Sequence, residues 1–272
     1  MVRRVLAFFQ QQEQAQAVRL LLPLEQAQAL DCVRYGVANI EAAPLDMALS
    51  IGGDGTLLGV CRRVYKKGVP VCGINLGTVG FLVDIEIQEL ESKLQKILAH
   101  KYQIEERLML TGSLLRGEEE KPLGVAINDI VITKGGLARM LSLRLDINQT
   151  RVADYKADGL IVSTPTGSTA YSLSAGGPIV NPLVKALLLT PICPHSFNIR
   201  PLVVCETDEV RMHIHMGDEP QEVLATLDGQ RTCCLAAGDI VRVRRAHEAA
   251  RIVKFADKDY YGTMRQKLWG TP

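Results

Sequence analysis

This chain has almost no net charge and no long apolar run. The first absence argues against a nucleic-acid-binding protein, and the second argues against a membrane-spanning one. Thirty-one Lys and Arg residues balance 30 Asp and Glu residues, so no overall field attracts nucleic acid or a membrane surface. The longest candidate for a membrane span, Val184 to Leu189, contains a lysine and stops at Thr190-Pro191. We therefore expect no nucleic-acid partner and no membrane association.

The first residues lack the apolar length of a secretion signal. Two arginines precede the apolar run Val5 to Phe9, but that run ends after five residues at a glutamine tract. We expect this run to be the first strand of the fold, and we expect a cytoplasmic protein.

The cysteines form neither a disulfide framework nor a metal-binding pattern. The seven cysteines are odd in number, include no Cys-x-x-Cys pair and mostly lie in apolar segments, so we expect reduced and buried thiols. His213 and His215 alternate along one predicted strand without a third ligand nearby, and we expect them to face solvent. We predict no metal site built from side chains.

The order of predicted elements divides the chain into two regimes. Up to about residue 100, short apolar runs alternate with helix-like stretches, which predicts a parallel sheet flanked by helices. The runs are Val5 to Phe9, Cys32 to Val37, Met47 to Ile51 and Val69 to Ile74, and the helical stretches are Glu13 to Leu22, Leu57 to Tyr65 and Ile87 to His100.

From about residue 101 the predicted strands follow one another without helices, which indicates a β-rich, sandwich-like domain. We predict an α/β domain over residues 1–100, a β-rich domain over residues 101–256, and a C-terminal segment over residues 257–272 that packs back on the first domain.

A glycine turn follows the apolar run Met47 to Ile51 and precedes a helical stretch. This turn, Gly52-Gly53-Asp54-Gly55-Thr56, lets a phosphate approach the backbone closely at the positive end of the next helix. Asp54 repels phosphate and is better suited to accepting a proton from a hydroxyl or to binding a metal that bridges to phosphate. The alternative is ordinary turn chemistry, in which Asp and Gly supply unusual backbone angles.

A second glycine-rich and hydroxyl-rich segment favours the functional interpretation. It runs from Asp158 to Ser172, and its pattern again predicts a strand, a turn and a helix in that order. The pair of turns indicates phosphoryl transfer to an alcohol. No Walker phosphate loop, no protein-kinase motif and no Gly-x-Gly-x-x-Gly dinucleotide fingerprint is present.

Together these motifs resemble those of the NAD kinases of the bacterial type that use ATP or polyphosphate, within the diacylglycerol kinase-like and 6-phosphofructokinase-like superfamily. The resemblance spans nearly the whole chain. The Gly-Gly-Asp-Gly-Thr turn is shared with lipid kinases, whereas the run Ser163 to Tyr171 is far more specific. The matching segments are Gly52 to Thr56, Asn75 to Leu82, Asn128-Asp129, Asp158 to Pro178, Pro194-His195, Arg200 to Val203, Asp228 to Gln230 and Asp259 to Trp269.

The resemblance implies phosphorylation of the 2′-hydroxyl of the adenosine ribose of NAD, with ATP or polyphosphate as donor and Mg²⁺ held mainly by the donor phosphates. It also implies a homodimer or homotetramer. Asp54 would be the base, while Gly52, Gly53, Gly55 and Thr56 would contact the donor phosphates. The residues implied in NAD binding are Asn128, Asp129, Asp158, Thr169, Ala170, Tyr171, Ser174 and Phe81.

Several of these assignments have competing interpretations. Family members more often carry Glu beside the asparagine, so Asp129 has a less secure contact than Asn128. Phe81 serves equally well as core filler. The segment Asp228 to Gln230 is typical of a two-residue hairpin turn, which is the preferred interpretation. The family resemblance makes it a candidate near the substrate. A lipid kinase and a non-catalytic NAD or NADP sensor are the alternative functions.

Overall fold

A computed structural model describes residues 1–14, 18–77, 80–136, 140–196, 198–215 and 222–270. The helices are α1 (Val2–Gln14), α2 (Leu24–Ala29), α3 (Asp54–Val64), α4 (Leu90–Leu98), α5 (Tyr171–Ser174) and α6 (Tyr260–Trp269).

The first nine strands are β1 (Leu22–Pro23), β2 (Gly36–Val37), β3 (Ala48–Ile51), β4 (Val71–Ile74), β5 (Gln103–Arg107), β6 (Leu110–Arg116), β7 (Glu119–Ala126), β8 (Asp129–Lys134) and β9 (Leu141–Ile147). The other nine are β10 (Thr150–Ala157), β11 (Gly159–Ser163), β12 (Ala186–Ile192), β13 (Leu202–Cys205), β14 (Val210–His215), β15 (Val223–Leu227), β16 (Arg231–Leu235), β17 (Ile240–Arg245) and β18 (Ala250–Lys254).

The chain forms two compact units. The first comprises Met1–Glu105 with Arg251–Pro272, and the second comprises Glu106–Ala250. Among the described residues, no helix is both long and apolar enough to cross a membrane.

A four-stranded sheet forms the centre of the first unit, in the order β3-β4-β18-β5. Strand β4 pairs in parallel with both β3 and β18. Buried side chains of α1, β4, α4 and β18 pack into one core, with Phe9, Ile74, Leu94 and Val253 among its members. The predicted α/β unit with a parallel sheet is confirmed.

The predictions for the N-terminal segment are wrong. Residues Val5 to Phe9 belong to helix α1 rather than to a strand, because Val5, Leu6 and Phe9 bury one helical face while Arg3 and Arg4 stay exposed. A helix is also predicted over Glu13 to Leu22. Residues 18–21 of that range are not helical, and Leu22 begins β1. Pro23 disfavours helical geometry in the residue before it.

Two antiparallel six-stranded sheets form the second unit. Their orders are β10-β9-β14-β17-β6-β7 and β13-β12-β11-β8-β15-β16. One core contains buried side chains of both sheets, including Leu143, Ile132, Leu160 and Val241, so the sheets stack as a sandwich. Strand β11 is buried throughout because its other face carries Ile161, which packs with Val131 and Ala175. The predicted β-rich, sandwich-like fold is confirmed.

Candidate functional site

The glycine turn lies where β3 ends and α3 begins. Gly52 has φ 155°, and a Cβ at this position would lie 2.4 Å from Thr56 Oγ1, so the turn requires glycine. Gly53 is exposed and a Cβ there would meet open space. The N-terminus of α3 is therefore accessible, and its positive dipole end suits a phosphate.

Asp54 is the first residue of α3, and its carboxylate binds the backbone of a neighbouring loop. Oδ2 accepts the N–H of Phe81 at 2.8 Å, and Oδ1 accepts the N–H groups of Leu82 and Val83 at 3.1 and 3.2 Å. This loop follows β4 in the chain. Asp54 thus anchors a second loop at the site, a role that its position in the turn motif did not reveal.

Gly80 makes this contact possible. A Cβ at Gly80 would lie 2.0 Å from Asp54 Oδ1, well inside van der Waals distance. Thr78 and Val79, which belong to the predicted loop, lie outside the described residues. Phe81 is half-buried, and Lys267 Nζ lies 4.7 Å from its ring centroid. A cation over an aromatic face stabilises this packing within the first unit.

In the second unit, a pocket of about 260 Å³ brings together four of the predicted NAD-binding residues. Asn128 and Asp129 lie at the start of β8, and Ala170 and Tyr171 lie at the start of α5. Val131, Thr226, Asp228 and Gly229 complete the lining. The Asn128 side chain makes no hydrogen bond to another described residue, which leaves its amide able to bind a ligand. Tyr171 is 45% exposed.

Asp228 fastens the Asn128-Asp129 segment to the pocket wall. Asp228 Oδ1 accepts the N–H of Asn128 at 2.7 Å and that of Ile127 at 3.0 Å, and the N–H of Asp129 lies at 3.3 Å. Asp228 and Gly229 have φ 49° and 62°, as a two-residue hairpin turn requires. The predicted turn is present, and its carboxylate also shapes the pocket.

Asp129 has an unusual protonation equilibrium. Burial of its side chain, which is 4% exposed, and the negative charge of Asp228 raise the pKa of Asp129 to about 7. At neutral pH the pocket therefore contains both the acid and the carboxylate form of Asp129, so this residue is able to donate or to accept a hydrogen bond.

Hydroxyl side chains tie the second glycine-rich segment to the same pocket. Thr164 Oγ1 donates to Ile127 O at 2.6 Å, and Ser163 Oγ donates to Asn128 O at 3.0 Å. A Cβ at Gly167 would lie 2.2 Å from Asn128 O, so the segment approaches the backbone as only glycine permits. Ser163, Thr164 and Gly167 of this run thus pack closely against the backbone at Ile127 and Asn128.

The other predicted NAD-binding residues of this unit do not line the pocket. Thr169 donates from Oγ1 to Thr166 O at 3.4 Å, and Ser174 is exposed at the end of α5. Asp158 lies between β10 and β11, where Lys134 Nζ is 2.8 Å from its Oδ1. Sequence reasoning did not identify Lys134, because an ion pair between separate strands leaves no local signal.

Two expectations about metal-binding residue types are wrong in part, although His215 is exposed as predicted. All seven cysteines are free, but Cys193, Cys205 and Cys234 are exposed and only Cys61 and Cys72 are buried. His213 does not face solvent, since its Nε2 lies 2.7 Å from Asp146 Oδ2 and its side chain is 14% exposed. Burial lowers the pKa of His213 despite this carboxylate.

Sequence comparison identifies the family. The family models for the ATP-NAD kinase N-terminal domain and the ATP-NAD kinase C-terminal domain match residues 8–102 and 127–255. The chain is 48% identical over 251 residues to the NAD kinase of Moorella thermoacetica, covering 92% of this chain and 80% of that protein. It is 43% identical over 256 residues to the NAD kinase of Geobacter sulfurreducens, covering 93% and 89%.

Solved structures agree with this result. A yeast NADH kinase complexed with NADH is similar at TM-score 0.75 and 32% identity, over 83% of this chain and 66% of that one. An NAD kinase from Archaeoglobus fulgidus in complex with ATP is similar at TM-score 0.69 and 26% identity, over 89% and 93%. On the combined evidence of sequence, fold and site, the chain belongs to the NAD kinase family.

Proposed function

We propose that Asp54 takes the proton from the 2′-hydroxyl of the adenosine ribose when this member of the NAD kinase family phosphorylates NAD to NADP. The observation that carries the proposal is the position of the Asp54 carboxylate, fixed by three backbone N–H groups beside an open helix N-terminus. A carboxylate offers about four acceptor sites, so one further donor, the ribose hydroxyl, has room to bind.

The donor is ATP, with polyphosphate as an alternative. Its phosphates bind at the accessible N-terminus of α3, where Gly52, Gly53, Gly55 and Thr56 provide close backbone contacts and one hydroxyl. The Archaeoglobus fulgidus relative in complex with ATP supports ATP as the donor.

A divalent cation, Mg²⁺, accompanies the donor. Within the described ranges no group of three or more His, Cys, Asp or Glu side chains is arranged to hold a metal ion. The residues present therefore fit a cation that is held chiefly by the donor phosphates. The cation neutralises charge on the transferring phosphoryl group.

NAD binds through the pocket of the second unit. The amide of Asn128 and the carboxyl of Asp129 suit the hydroxyls of a ribose, and the exposed ring of Tyr171 beside Ala170 suits an aromatic base. Asp158 binds the nicotinamide half of the molecule. Thr169, Ser174 and Phe81 complete the proposed set of NAD contacts. The yeast relative complexed with NADH supports a dinucleotide site on this fold.

The working form of the enzyme is a homodimer or a homotetramer in the cytoplasm. Seven free cysteines, three of them exposed, suit a reducing compartment. Light scattering coupled to size-exclusion chromatography measures the oligomer directly, and a fully active monomer would contradict this part of the proposal.

The test of the proposed reaction is NADP formation from NAD with Mg²⁺ and either ATP or polyphosphate, measured with an NADP-specific dehydrogenase. Asp54→Asn should lower kcat by about 10²- to 10⁴-fold, the usual range for loss of a general base. Asp46→Asn, an exposed change of the same kind in the same unit, should leave kcat unchanged.

Because Asp54→Asn also places an amide N–H₂ near backbone donors, thermal unfolding of the variant is measured in parallel. A folded Asp54→Asn enzyme with full turnover would refute the role of Asp54. A folded wild-type protein that binds NAD but forms no NADP with either donor would support the sensor alternative.

A further inference from the structure

Lys134 and Asp158 form an ion pair that the proposed roles do not use. Lys134 Nζ lies 2.8 Å from Asp158 Oδ1, and the two side chains are 25% and 32% exposed. Such a pair is screened by water less than one on the open surface. One lysine therefore offsets most of the charge of the carboxylate that we assign to the nicotinamide half.

The backbone holds this pair in place. The N–H of Lys134 donates to Asp158 O at 3.0 Å, and the N–H of Asp158 donates to Ile192 O at 2.9 Å. Thr133 Oγ1 also donates to Asp158 O, at 3.4 Å. Asp158 is therefore joined to the ends of β8 and β12, and the ion pair connects fixed points of the sheet rather than two loops.

The carboxylate of the pair interacts with a residue of the proposed NAD pocket, Tyr171. Asp129 and Asp228 line the neighbouring pocket with Tyr171. Burial, followed by the charges of Cys193, Asp129 and Asp158, raises the pKa of the Tyr171 phenol. Asp158 is thus within electrostatic range of the pocket tyrosine, and Lys134 is its direct counter-charge.

The charge on Asp158 matters because the two forms of the dinucleotide differ in charge at one ring. The nicotinamide ring of NAD⁺ is a cation, whereas the dihydronicotinamide ring of NADH is neutral. An unpaired carboxylate favours the cation, and a carboxylate paired with an ammonium group discriminates less. We propose that Lys134 sets the preference between NAD⁺ and NADH by neutralising Asp158. This inference rests on the proposed function, and in particular on Asp158 binding the nicotinamide half.

The experiment measures the ratio of kcat/KM for NAD⁺ to kcat/KM for NADH on the same enzyme preparations with Mg·ATP. Lys134→Met should raise this ratio on the order of tenfold, which corresponds to a change of ~1.4 kcal/mol. Lys134→Arg keeps the charge and should hold the ratio within about twofold. Lys121→Met, which removes another ion-paired lysine of this unit, should also leave the ratio unchanged.

A second comparison tests whether Lys134 acts through Asp158. In an Asp158→Asn background there is no carboxylate to neutralise, so adding Lys134→Met should no longer raise the ratio. The ratio does not depend on the fraction of folded enzyme, because both substrates are assayed on one preparation. Lys134→Gln serves in place of Lys134→Met if the latter does not fold.

The outcomes separate this inference from the proposed function. An active wild type with an unchanged ratio in Lys134→Met, or an equal rise with and without Asp158, overturns the role of Lys134 and leaves the kinase assignment standing. A wild type that phosphorylates neither NAD⁺ nor NADH overturns both.

Discussion

The backbone N–H of Asn128 donates to Asp228 Oδ1 at 2.7 Å, which joins residues 100 positions apart. One residue of the pair lies at the start of β8 and the other in the turn after β15. This bond fixes the direction in which Asn128 enters the pocket. It also places a negative charge beside Asp129, so one carboxylate determines both the shape and the protonation of the proposed NAD site.

The substitution Asp228→Asn tests this dual role. Asparagine tolerates the left-handed backbone at this position, so the turn should survive, while the charge-assisted bonds to Ile127 and Asn128 weaken. KM for NAD should rise about tenfold, the effect of losing ~1.4 kcal/mol, and KM for ATP should change less. Steady-state kinetics with each substrate varied separately measures both constants. Equal changes in the two constants would contradict a role confined to the NAD site.

Asp129 should make stability depend on pH in an unusual direction. Its folded-state pKa of about 7 lies above the unfolded value of roughly 3.9, so the folded state binds more protons between these values. Its contribution to the free energy of unfolding is therefore present below about pH 4 and is lost as pH rises through about 7.

The variant Asp129→Asn removes this effect and is the measurement that checks it. Relative to wild type, the variant should gain stability in urea unfolding as pH is raised from 5 to 8, by about 1 to 3 kcal/mol given the size of the shift. A difference between the two proteins that is constant across this range would show that Asp129 titrates normally. In a protein that keeps Asp129 but carries Asp228→Asn, the pH at which this stability is lost should be lower, because the neighbouring negative charge is gone.

Gly80→Ala should displace the Asp54 carboxylate, the proposed base, without removing it. A Cβ at Gly80 would approach Asp54 Oδ1 to 2.0 Å, so the carboxylate must move away from the N–H groups of Phe81 and Leu82. We expect kcat to fall at least about tenfold, because displacing a catalytic group by as little as 1 Å is costly. Gly77→Ala, in the same loop, measures the general cost of the substitution, because Gly77 lacks a positive φ and a Cβ there would meet open space. Full turnover in Gly80→Ala would show that the position of Asp54 is not critical.

The buried ammonium of Lys93 should make Asp257 important for folding. Lys93 is 1% exposed, and its Nζ lies 2.5 Å from Asp257 Oδ1 and 4.6 Å from the centroid of the Phe255 ring. Hydrogen bonds from Lys93 and then Lys96 hold the pKa of Asp257 below its usual range. The stabilisation is therefore present above about pH 4 and is lost as pH falls further.

Asp257→Asn should destabilise the protein by about 1 to 3 kcal/mol near neutral pH, because it leaves a buried charge without its counter-ion. The partial exposure of Asp257 keeps this value below that of a fully buried pair. Lys96→Met, which removes the exposed partner, should have little effect. Chemical denaturation of the three proteins measures the difference, and equal stabilities would contradict the account.

Much of this fold could be predicted from local patterns, and the errors have identifiable physical causes. Strand β3, the glycine turn and helix α3 follow from an apolar run, two glycines and a helical period. The run Val5 to Phe9 misled because five apolar residues fit a strand or a buried helix face equally well. Only packing against the sheet decides between them, and packing is not visible in a short window.

The site shows the same limit. The glycine turn and the family resemblance predict Asp54, Asn128, Asp129 and Tyr171 as site residues, but they do not show that Asp54 binds the backbone at Phe81. Contacts of this kind join residues far apart in the chain, and nothing in either local sequence indicates the partner. The same limit applies to Asp228. The Asp-Gly pair predicts the backbone conformation of a turn, whereas the direction of the Asp228 carboxylate depends on its bond to a distant strand.

The most direct test of the central claim is to identify the product that the purified enzyme forms from NAD and Mg·ATP. Phosphorus NMR of the isolated product should show one new phosphomonoester on the 2′-oxygen of the adenosine ribose, formed at a rate that Asp54→Asn reduces. A phosphate at another hydroxyl, or no phosphorylated dinucleotide from a folded protein that binds both substrates, would contradict the account.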